Sequence, residues 1–326
     1  MERIFFENKK YDVVSLFSGI GGFDLGFENA GFNVIWANDY DKFATLTYKA
    51  NVSNNIVLGD INDLIDSIPK HDVLVGGFPC QPFSSLGKKK GFDDERGTLF
   101  FTIKEILLKH QTKVVVLENV KNLKHHDGGN TLKRIIRELE DIGYSCSYEI
   151  LNSLDFGIPQ RRNRIFIVAF LKNSFKDGLS FSFPNKIPLT ISTQDLLDVN
   201  VDRKYFLTHT ISKTILSTGS SKFKVKPTID LPISKTLTAS MHKMHRASQD
   251  NYITDQQSFS LFNDPLRINI RKLTPNECRK LQGFPSDWKQ VVSDSQAYKQ
   301  FGNAVTVDVI YAIASLLMKD MNEYLI

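Results

Sequence analysis

Cysteine is scarce in this chain: of 326 residues three are cysteine, Cys80, Cys146 and Cys278, odd in number and far apart. That spacing fits neither a disulfide framework nor a zinc site, and a reducing cytoplasm is the natural compartment. Long apolar runs are missing as well. Nowhere do about 18 apolar residues follow one another, which argues against a membrane span. The amino terminus, MERIFFENKKYD, is charged and its apolar stretch is too brief for a signal peptide, so secretion is not expected. No repeat or low-complexity tract stands out. His242 and His245 are three apart but have no cysteine or further ligand cluster beside them, so no metal is expected.

Acidic residues are short in one region. The whole chain carries 41 Lys and Arg against 36 Asp and Glu, a net charge of +5. Between Arg203 and Lys272 there are twelve basic residues against four acidic ones, so the rest of the chain is slightly acidic. A basic segment beside a near-neutral remainder is the footprint of a polyanion binder, with a solvated basic loop as the alternative.

What is present is a regular alternation. β-branched runs at 12–17, 33–37, 55–58, 72–76, 113–118, 145–150 and 164–169 read as buried strands. Helical patterns lie between them near 22–30, 41–50, 61–68, 98–109 and 130–142, the last closed by Gly143. Crossovers of that length imply parallel pairing. The expected fold is therefore α/β, a doubly wound and mostly parallel sheet over 1–170. A second, smaller domain over 171–270 is mostly β or irregular. A C-terminal segment, 271–326, holds helices at 274–282, with Pro275 at its first position, and 305–318, and is expected to pack back on the first domain.

Chemistry collects where such strands end. The strand 72–76 runs into Gly-Gly-Phe-Pro-Cys, which puts Cys80 at the ligand-binding edge of the sheet. A cysteine taken alone is more often a small buried hydrophobe; this context points to a nucleophile. The first strand opens into Ser18-Gly19-Ile20-Gly21-Gly22, a Gly-rich turn that tight packing alone could also explain. Asp39 ends the second strand, where a carboxylate can take both hydroxyls of a ribose, and Asp60 follows the third. The glycine spacing is not that of a dinucleotide site, so an adenosine without phosphates fits better.

With those residues in view, the chain resembles the DNA (cytosine-5)-methyltransferases of the small bacterial or phage kind over nearly its whole length. The motifs are FSGIGG at 17–22, GFPCQPFS at 77–84, ENV at 118–120, QRRNR at 160–164, RKLTPNECRKLQGFP at 271–285 and QAYKQFGNAV at 296–305. TLTAS at 236–240 resembles an element usual in the family's target-recognition domain, which 171–270 matches by position. The resemblance implies the S-adenosylmethionine-dependent methyltransferase fold and that cofactor, with S-adenosylhomocysteine as product. It implies Phe17 and Tyr40 against the adenine, Gly19, Ile20, Gly21 and Gly22 near the methionine, and Asp39 on the ribose. Asp60 and Ile61 would border the adenine, and Gly77, Pro79, Leu99 and Asn303 complete the pocket. The family often has Glu and Trp where this chain has Asp39 and Tyr40, changes that keep a carboxylate and an aromatic face.

By the same resemblance Cys80 adds as thiolate to C6 of cytosine, Glu118 holds the N3 and N4 side of the base, and Arg164 lies beside it with Arg162 near. Alternate residues on an extended segment face one way, so both arginines are expected at the site. As alternatives, Glu118 caps a turn and the arginines are surface charges. The base must leave the duplex to react. The Lys-rich loop 84–97 is expected to close on DNA, with Gln81, Ser84, Lys88, Lys89 and Lys90 as contacts. Base reading is expected within 239–252, where His242, Lys243, His245, Arg246, Gln249 and Asn251 crowd together, with Thr238 and Ser240 as further DNA contacts. The expected partner is double-stranded DNA, with a cognate restriction endonuclease sharing the target site, and the expected state is a monomer. The family's tRNA-methylating branch is the enzymatic rival, but it typically carries Cys-Phe-Thr in the second domain, and no cysteine occurs between Cys146 and Cys278. A catalytically dead DNA-binding regulator is the rival of another class, and it has no need of Cys80.

Overall fold

A computed structural model describes residues 3–4, 10–78, 99–176, 179–217, 228–243, 246–262 and 264–326. The chain divides into two compact units, one of 3–152, 163–186 and 309–326, the other of 1–2, 153–162 and 187–308.

The first unit is built on a seven-stranded sheet. In chain order its strands are β1 (Asp12–Leu16), β2 (Asn33–Asp39), β3 (Ile56–Leu58), β4 (Val73–Gly77), β5 (Val114–Val120) and β6 (Tyr144–Asn152). After a two-residue β7 (Gln160–Arg161), which belongs to the second unit, comes β8 (Asn163–Leu171). The sheet order is β3-β2-β1-β4-β5-β8-β6, parallel except for β8, which runs antiparallel to both its neighbours. Each of the seven expected strands is present. The helices α1 (Gly22–Asn29), α2 (Lys42–Asn51), α3 (Leu99–His110) and α4 (Asn130–Asp141) also fall where the periodicity put them.

Side-chain alternation sorts the strands' two faces. Val14, Leu16, Leu74, Val115, Leu117, Ile165 and Ile167 join Phe100, Ile103 and Ile106 of α3 and Leu132, Ile135 and Leu139 of α4 in one buried cluster. Full burial of such side chains contributes about 1.5–3 kcal/mol each. The expected helix at 61–68 is instead two short 3-10 turns, Ile61–Asp63 and Ile65–Ser67. Asn62, Asp63, Asp66 and Ser67 are short polar side chains that compete for local backbone groups and make a poor helix interior. Gly143, at φ 95°, ends α4 as expected.

Among its described residues the second unit has two small sheets. Besides β7 its strands are β9 (Phe206–Thr208), β10 (Ser234–Lys235), β11 (Tyr252–Thr254) and β12 (Arg267–Lys272). β7 pairs with β10, and β12 lies between β11 and β9. Its helices are α5 (His209–Ile215), α6 (Gln256–Phe259), α7 (Pro275–Lys280) and α8 (Asp294–Asn303). Thr274 caps α7 in a reciprocal capping box with Glu277, and Pro275 takes the first helical position as expected. Glu277 also receives both terminal nitrogens of fully buried Arg271, at 2.8 and 2.9 Å, while Arg271 Nε donates to Asp255 at 2.7 Å. The units therefore cut the chain differently from the expected boundaries: 271–308 belongs with 187–270, and the sheet's unit regains the chain from Val309. There α9 (Val307–Tyr324) buries Val309, Ile310, Ile313, Ala314, Leu317 and Met321. The helical stretch Asp294–Tyr324 is long and apolar enough to cross a membrane by composition, yet these side chains are those of a core helix.

One buried base under the sheet gives the fold a pH dependence. His71 donates from Nδ1 to the Pro69 carbonyl at 2.8 Å, which leaves Nε2 to accept from the Thr112 hydroxyl at 2.9 Å. Burial pulls its pKa from 6.5 down to about 4. An unfolded chain takes the proton first as pH falls, so this contribution to stability is full above pH 6.5 and is lost on the way down to about 4, a span worth on the order of 3 kcal/mol. Urea unfolding at about pH 7 and about pH 4.5 should therefore show a smaller acid loss for His71→Gln than for the wild type, by about 2 kcal/mol. Equal losses would assign the acid sensitivity to other groups.

Candidate active site

The parallel strands deliver their carboxyl ends to one edge, and the antiparallel β8 brings its amino end to the same edge. Across β4 and β5, Gly77 lies opposite Glu118; across β5 and β8, Val120 lies opposite Arg164. The result is an ion pair: Arg164 Nε stands 2.8 Å from Glu118 Oε1, both side chains largely buried. Arg164 also donates to the Asn163 carbonyl at 2.9 Å. The next residue after Glu118, Asn119, donates from Nδ2 to the Phe78 carbonyl at 2.9 Å and so holds the chain as it leaves β4. Glycine leaves room beside the carboxylate: a Cβ on Gly77 would stand 3.0 Å from Glu118 Oε2, so Glu118 would have to shift by a few tenths of an ångström.

At the ends of β1 and β2 the backbone is bent to leave a cradle. Phe17, Gly19 and Gly21 have φ of 53°, 58° and 89°, and nothing lies within 4 Å of where a Cβ on Gly19 would be. Gly22 begins α1 and Ile20 is buried beneath the turn. Asp39 accepts the Gly19 N–H at 2.8 Å on one oxygen and the Asp41 N–H at 2.7 Å on the other. The two backbone bonds orient the Asp39 carboxylate at the end of β2. Tyr40 is 77% exposed. Asp60 is exposed and caps the turn that carries buried Ile61, accepting the Asn62 N–H at 3.0 Å. Leu99 opens α3. Flat apolar faces, an oriented carboxylate and an open glycine backbone are what an adenosine with a short polar tail requires. Pro79, Cys80, Gln81, Ser84, Lys88, Lys89, Lys90 and His245 lie outside the described residues.

The second unit holds the other expected residues. Arg162 is 1% exposed and donates to the carbonyls of Leu237 at 2.8 Å, Gly302 at 3.0 Å and Ala304 at 2.6 Å. The expected alternation with Arg164 fails because the strand is interrupted: β7 ends at Arg161, β8 begins at Asn163, and the chain passes from one unit to the other between Arg162 and Asn163. Asn303, exposed at the end of α8, is flanked by two of these carbonyls. Thr238 and Ser240 each accept from Arg246 Nη2 at 3.0 Å, and the Arg246 backbone N–H donates to Asp250 at 2.8 Å. Arg246 is thus engaged within its own segment. His242 stands 2.7 Å from the Ala239 carbonyl through Nδ1, and Lys243 is exposed. Asp24, Asn38, Asn119, Gln160 and Gln282 escaped sequence reasoning. All five are buried polar residues, a signal that needs burial to be seen.

Comparison with known proteins agrees with this architecture. Residues 11–319 match the family of C-5 cytosine-specific DNA methylases. The type II methyltransferase M.DsaV of Dactylococcopsis salina is 41% identical over 320 residues, covering 97% of this chain and 89% of that protein. M.SsoII of Shigella sonnei is 40% identical over 326 residues, covering 97% and 82%. Among solved structures, the Dnmt2 methyltransferase of S. pombe matches with a TM-score of 0.72 at 20% identity, covering 96% of this chain and 99% of that one. EhMeth of Entamoeba histolytica matches at 0.69 and 23%, covering 97% and 99%. The chain belongs to the C-5 cytosine-specific DNA methylase family, and its enzymatic class is DNA (cytosine-5) methyltransferase. The family implies an S-adenosylmethionine-dependent enzyme.

Two glycines test the geometry. Gly77→Ala pushes Glu118 away from Arg164, so methyl transfer should fall about tenfold or more, equivalent to about 1.4 kcal/mol, with the melting temperature nearly unchanged; an undiminished rate would mean that the position of Glu118 does not matter. A Cβ on Gly302 would meet backbone atoms of Thr238 and Ala239 at 2.3 Å. Overpacking of this kind costs about 1–3 kcal/mol, so Gly302→Ala should lower the melting temperature by several degrees in a thermal scan.

Proposed function

We propose that this enzyme methylates C5 of a cytosine turned out of a short specific duplex sequence, within a type II restriction-modification system. The observation that carries the reading is the Glu118–Arg164 pair at the carboxyl edge of the sheet, three residues of chain beyond Gly77 from the cysteine of the GFPCQPFS motif. C5 of cytosine is a poor nucleophile. Addition of the Cys80 thiolate to C6 makes C5 electron-rich, and loss of the C5 proton after methylation lets the thiolate leave. Glu118 holds the N3 and N4 side of the base, and Arg164 fixes the carboxylate in place through its 2.8 Å bond.

S-adenosylmethionine, when bound, supplies an electrophilic methyl group. The residues that would hold it are Asp39 for the ribose hydroxyls, Phe17 and Tyr40 for the adenine faces, Asp60 and Ile61 at its border, and the 19–22 turn for the amino-acid end, with Gly77, Pro79, Leu99 and Asn303 completing the pocket.

The unit containing 187–308 is the target-recognition unit in this reading. Its basic segment would neutralise phosphate, and His242, Lys243, His245 and Arg246, with Thr238 and Ser240, are the candidates for contact with DNA. Extruding the cytosine costs a few kcal/mol, which contacts from Lys88, Lys89 and Lys90 to phosphate would help to offset. The action is on double-stranded DNA in the cytoplasm, by a monomer, and it protects that DNA from an endonuclease with the same target.

The decisive experiment is transfer of labelled methyl from S-adenosylmethionine to duplex DNA and to tRNA, for wild type and Cys80→Ala. Label in DNA as 5-methylcytosine at one short sequence, lost by at least about a thousandfold in the variant, is the expected result. Label in tRNA alone would move the chain to the tRNA-methylating branch, and DNA binding without label would make it a regulator.

A further inference from the structure

A carboxyl group with no part in the chemistry above sits directly beneath the cradle. Asp24, in the first turn of α1, is fully buried. Its Oδ2 accepts the Ser15 hydroxyl at 3.0 Å and its Oδ1 lies 2.7 Å from the Tyr48 hydroxyl. From there the contacts run upward into the Gly-rich turn. The Ser18 hydroxyl is 2.9 Å from both the hydroxyl and the carbonyl of Ser15, the Ser18 N–H donates to the Asn38 carbonyl, and the Gly21 N–H donates to the Ser18 carbonyl. The ring of Tyr48 lies under Gly21, 3.2 Å from where its Cβ would be.

Either form of Asp24 can satisfy this network, and burial separates the two. With a neutral carboxyl, Oδ1–H donates to Tyr48, Tyr48 donates to Asn55 Oδ1 at 3.2 Å, Ser15 donates to Oδ2 and Ser18 donates to Ser15, so every hydroxyl gives once and receives. With a carboxylate, Ser15 and Tyr48 both donate to it, but the charge is fully buried and no cation among the described residues is hydrogen-bonded to it. Glu28, further along α1, is a like charge, and Tyr48 is the titratable group presented by α2; β1 and β2 offer the neutral Ser15 and Asn38. Burial foremost, against weaker opposition from the Tyr48 and Ser15 bonds, pushes the Asp24 pKa up to about 7.

We propose that Asp24 is a positioning residue for the methyl donor: its neutral carboxyl holds Ser15, Ser18 and Tyr48 under the 19–22 turn, and its ionisation releases the turn and weakens cofactor binding. The proposal rests on the reading of that turn as the cofactor site. Folded Asp24 binds its proton above the ordinary carboxylate range, so the favourable state is populated below about pH 7 and is lost as pH rises through that value. Asparagine at position 24 mimics the neutral form permanently, giving an N–H to Tyr48 and accepting from Ser15.

The test is calorimetric titration of S-adenosylhomocysteine into wild type, Asp24→Asn and Tyr48→Phe from about pH 6 to about pH 8.5. For wild type the dissociation constant should rise about tenfold across the range, with proton uptake on binding near neutrality. Asp24→Asn should stay within about twofold of its value at low pH. Tyr48→Phe removes a hydroxyl that favours the carboxylate and should move the midpoint of the rise to higher pH. A flat wild-type profile, an Asp24→Asn profile that rises like the wild type, or an unmoved midpoint in Tyr48→Phe overturns the proposal. Failure of wild type to bind S-adenosylhomocysteine at any pH would instead remove the cofactor assignment beneath it.

Discussion

The parallel ladder of β2, β1, β4 and β5 is the constraint on which the sheet-borne site depends. Parallel pairing sends all four carboxyl ends to one edge, and the register decides what meets there: Gly77 opposite Glu118, Asp39 at the end of β2, the bent 17–22 segment at the end of β1. Strand order reverses direction between β1 and β4, where a crevice opens in sheets of this kind. The antiparallel β8 adds what a purely parallel sheet could not. It enters at the same edge, so Arg164 starts a strand where Glu118 nears the end of one, and the two meet at 2.8 Å.

That edge places polar groups where burial is costly unless each has a partner. Asp39 is satisfied by two backbone N–H groups, Asn119 by the Phe78 carbonyl, and Asn38 by the carbonyls of Val57 and Gly59 at 3.1 and 3.0 Å. Each of these bonds ties a functional loop to a strand, so affinity for a ligand need not be spent on ordering the loops. Phe17, a non-glycine residue at φ 53°, is the strained position among them. Its strain is held by the strand before it and the hydrogen-bonded turn after it.

The sheet's unit was legible because central strands such as 114–119 are buried, largely β-branched runs and because helices such as α4 repeat buried apolar residues at helical spacing. The second unit was not, for a physical reason: its strands are two to six residues long, too short to carry a period. Side-chain bonds to backbone stand in for ladders there, as where Asn251 exchanges two hydrogen bonds with the backbone of Lys235. Motif identity announced Arg162 and Arg164 as a pair, but one residue of broken strand gives them separate work. Alternation is a property of continuous β-structure, and the sequence QRRNR carries no mark of the break.

The network around Arg162 explains why motifs so far apart in sequence belong together. Gln160 donates to the Leu281 carbonyl and accepts the Leu237 N–H; Gln282 donates to the Phe301 carbonyl and accepts the Thr306 hydroxyl; Arg162 takes three further carbonyls. Every one of these side chains is buried, and a hydrogen bond to a charged group is worth about 1.5–3 kcal/mol where a neutral one is worth about 1. Substituting any member leaves carbonyls without donors in a dry interior, a penalty larger than the bond itself. Residues 160–162, 237, 281–282 and 301–306 therefore constrain one another directly. Since Asn303 sits between two carbonyls held by Arg162 and Thr238 follows a third, the backbone on either side of this arginine is fixed by the same guanidinium. Arg162, expected near the catalytic pocket, spends its donors on the spacing between the backbone at 237 and that at 302–304.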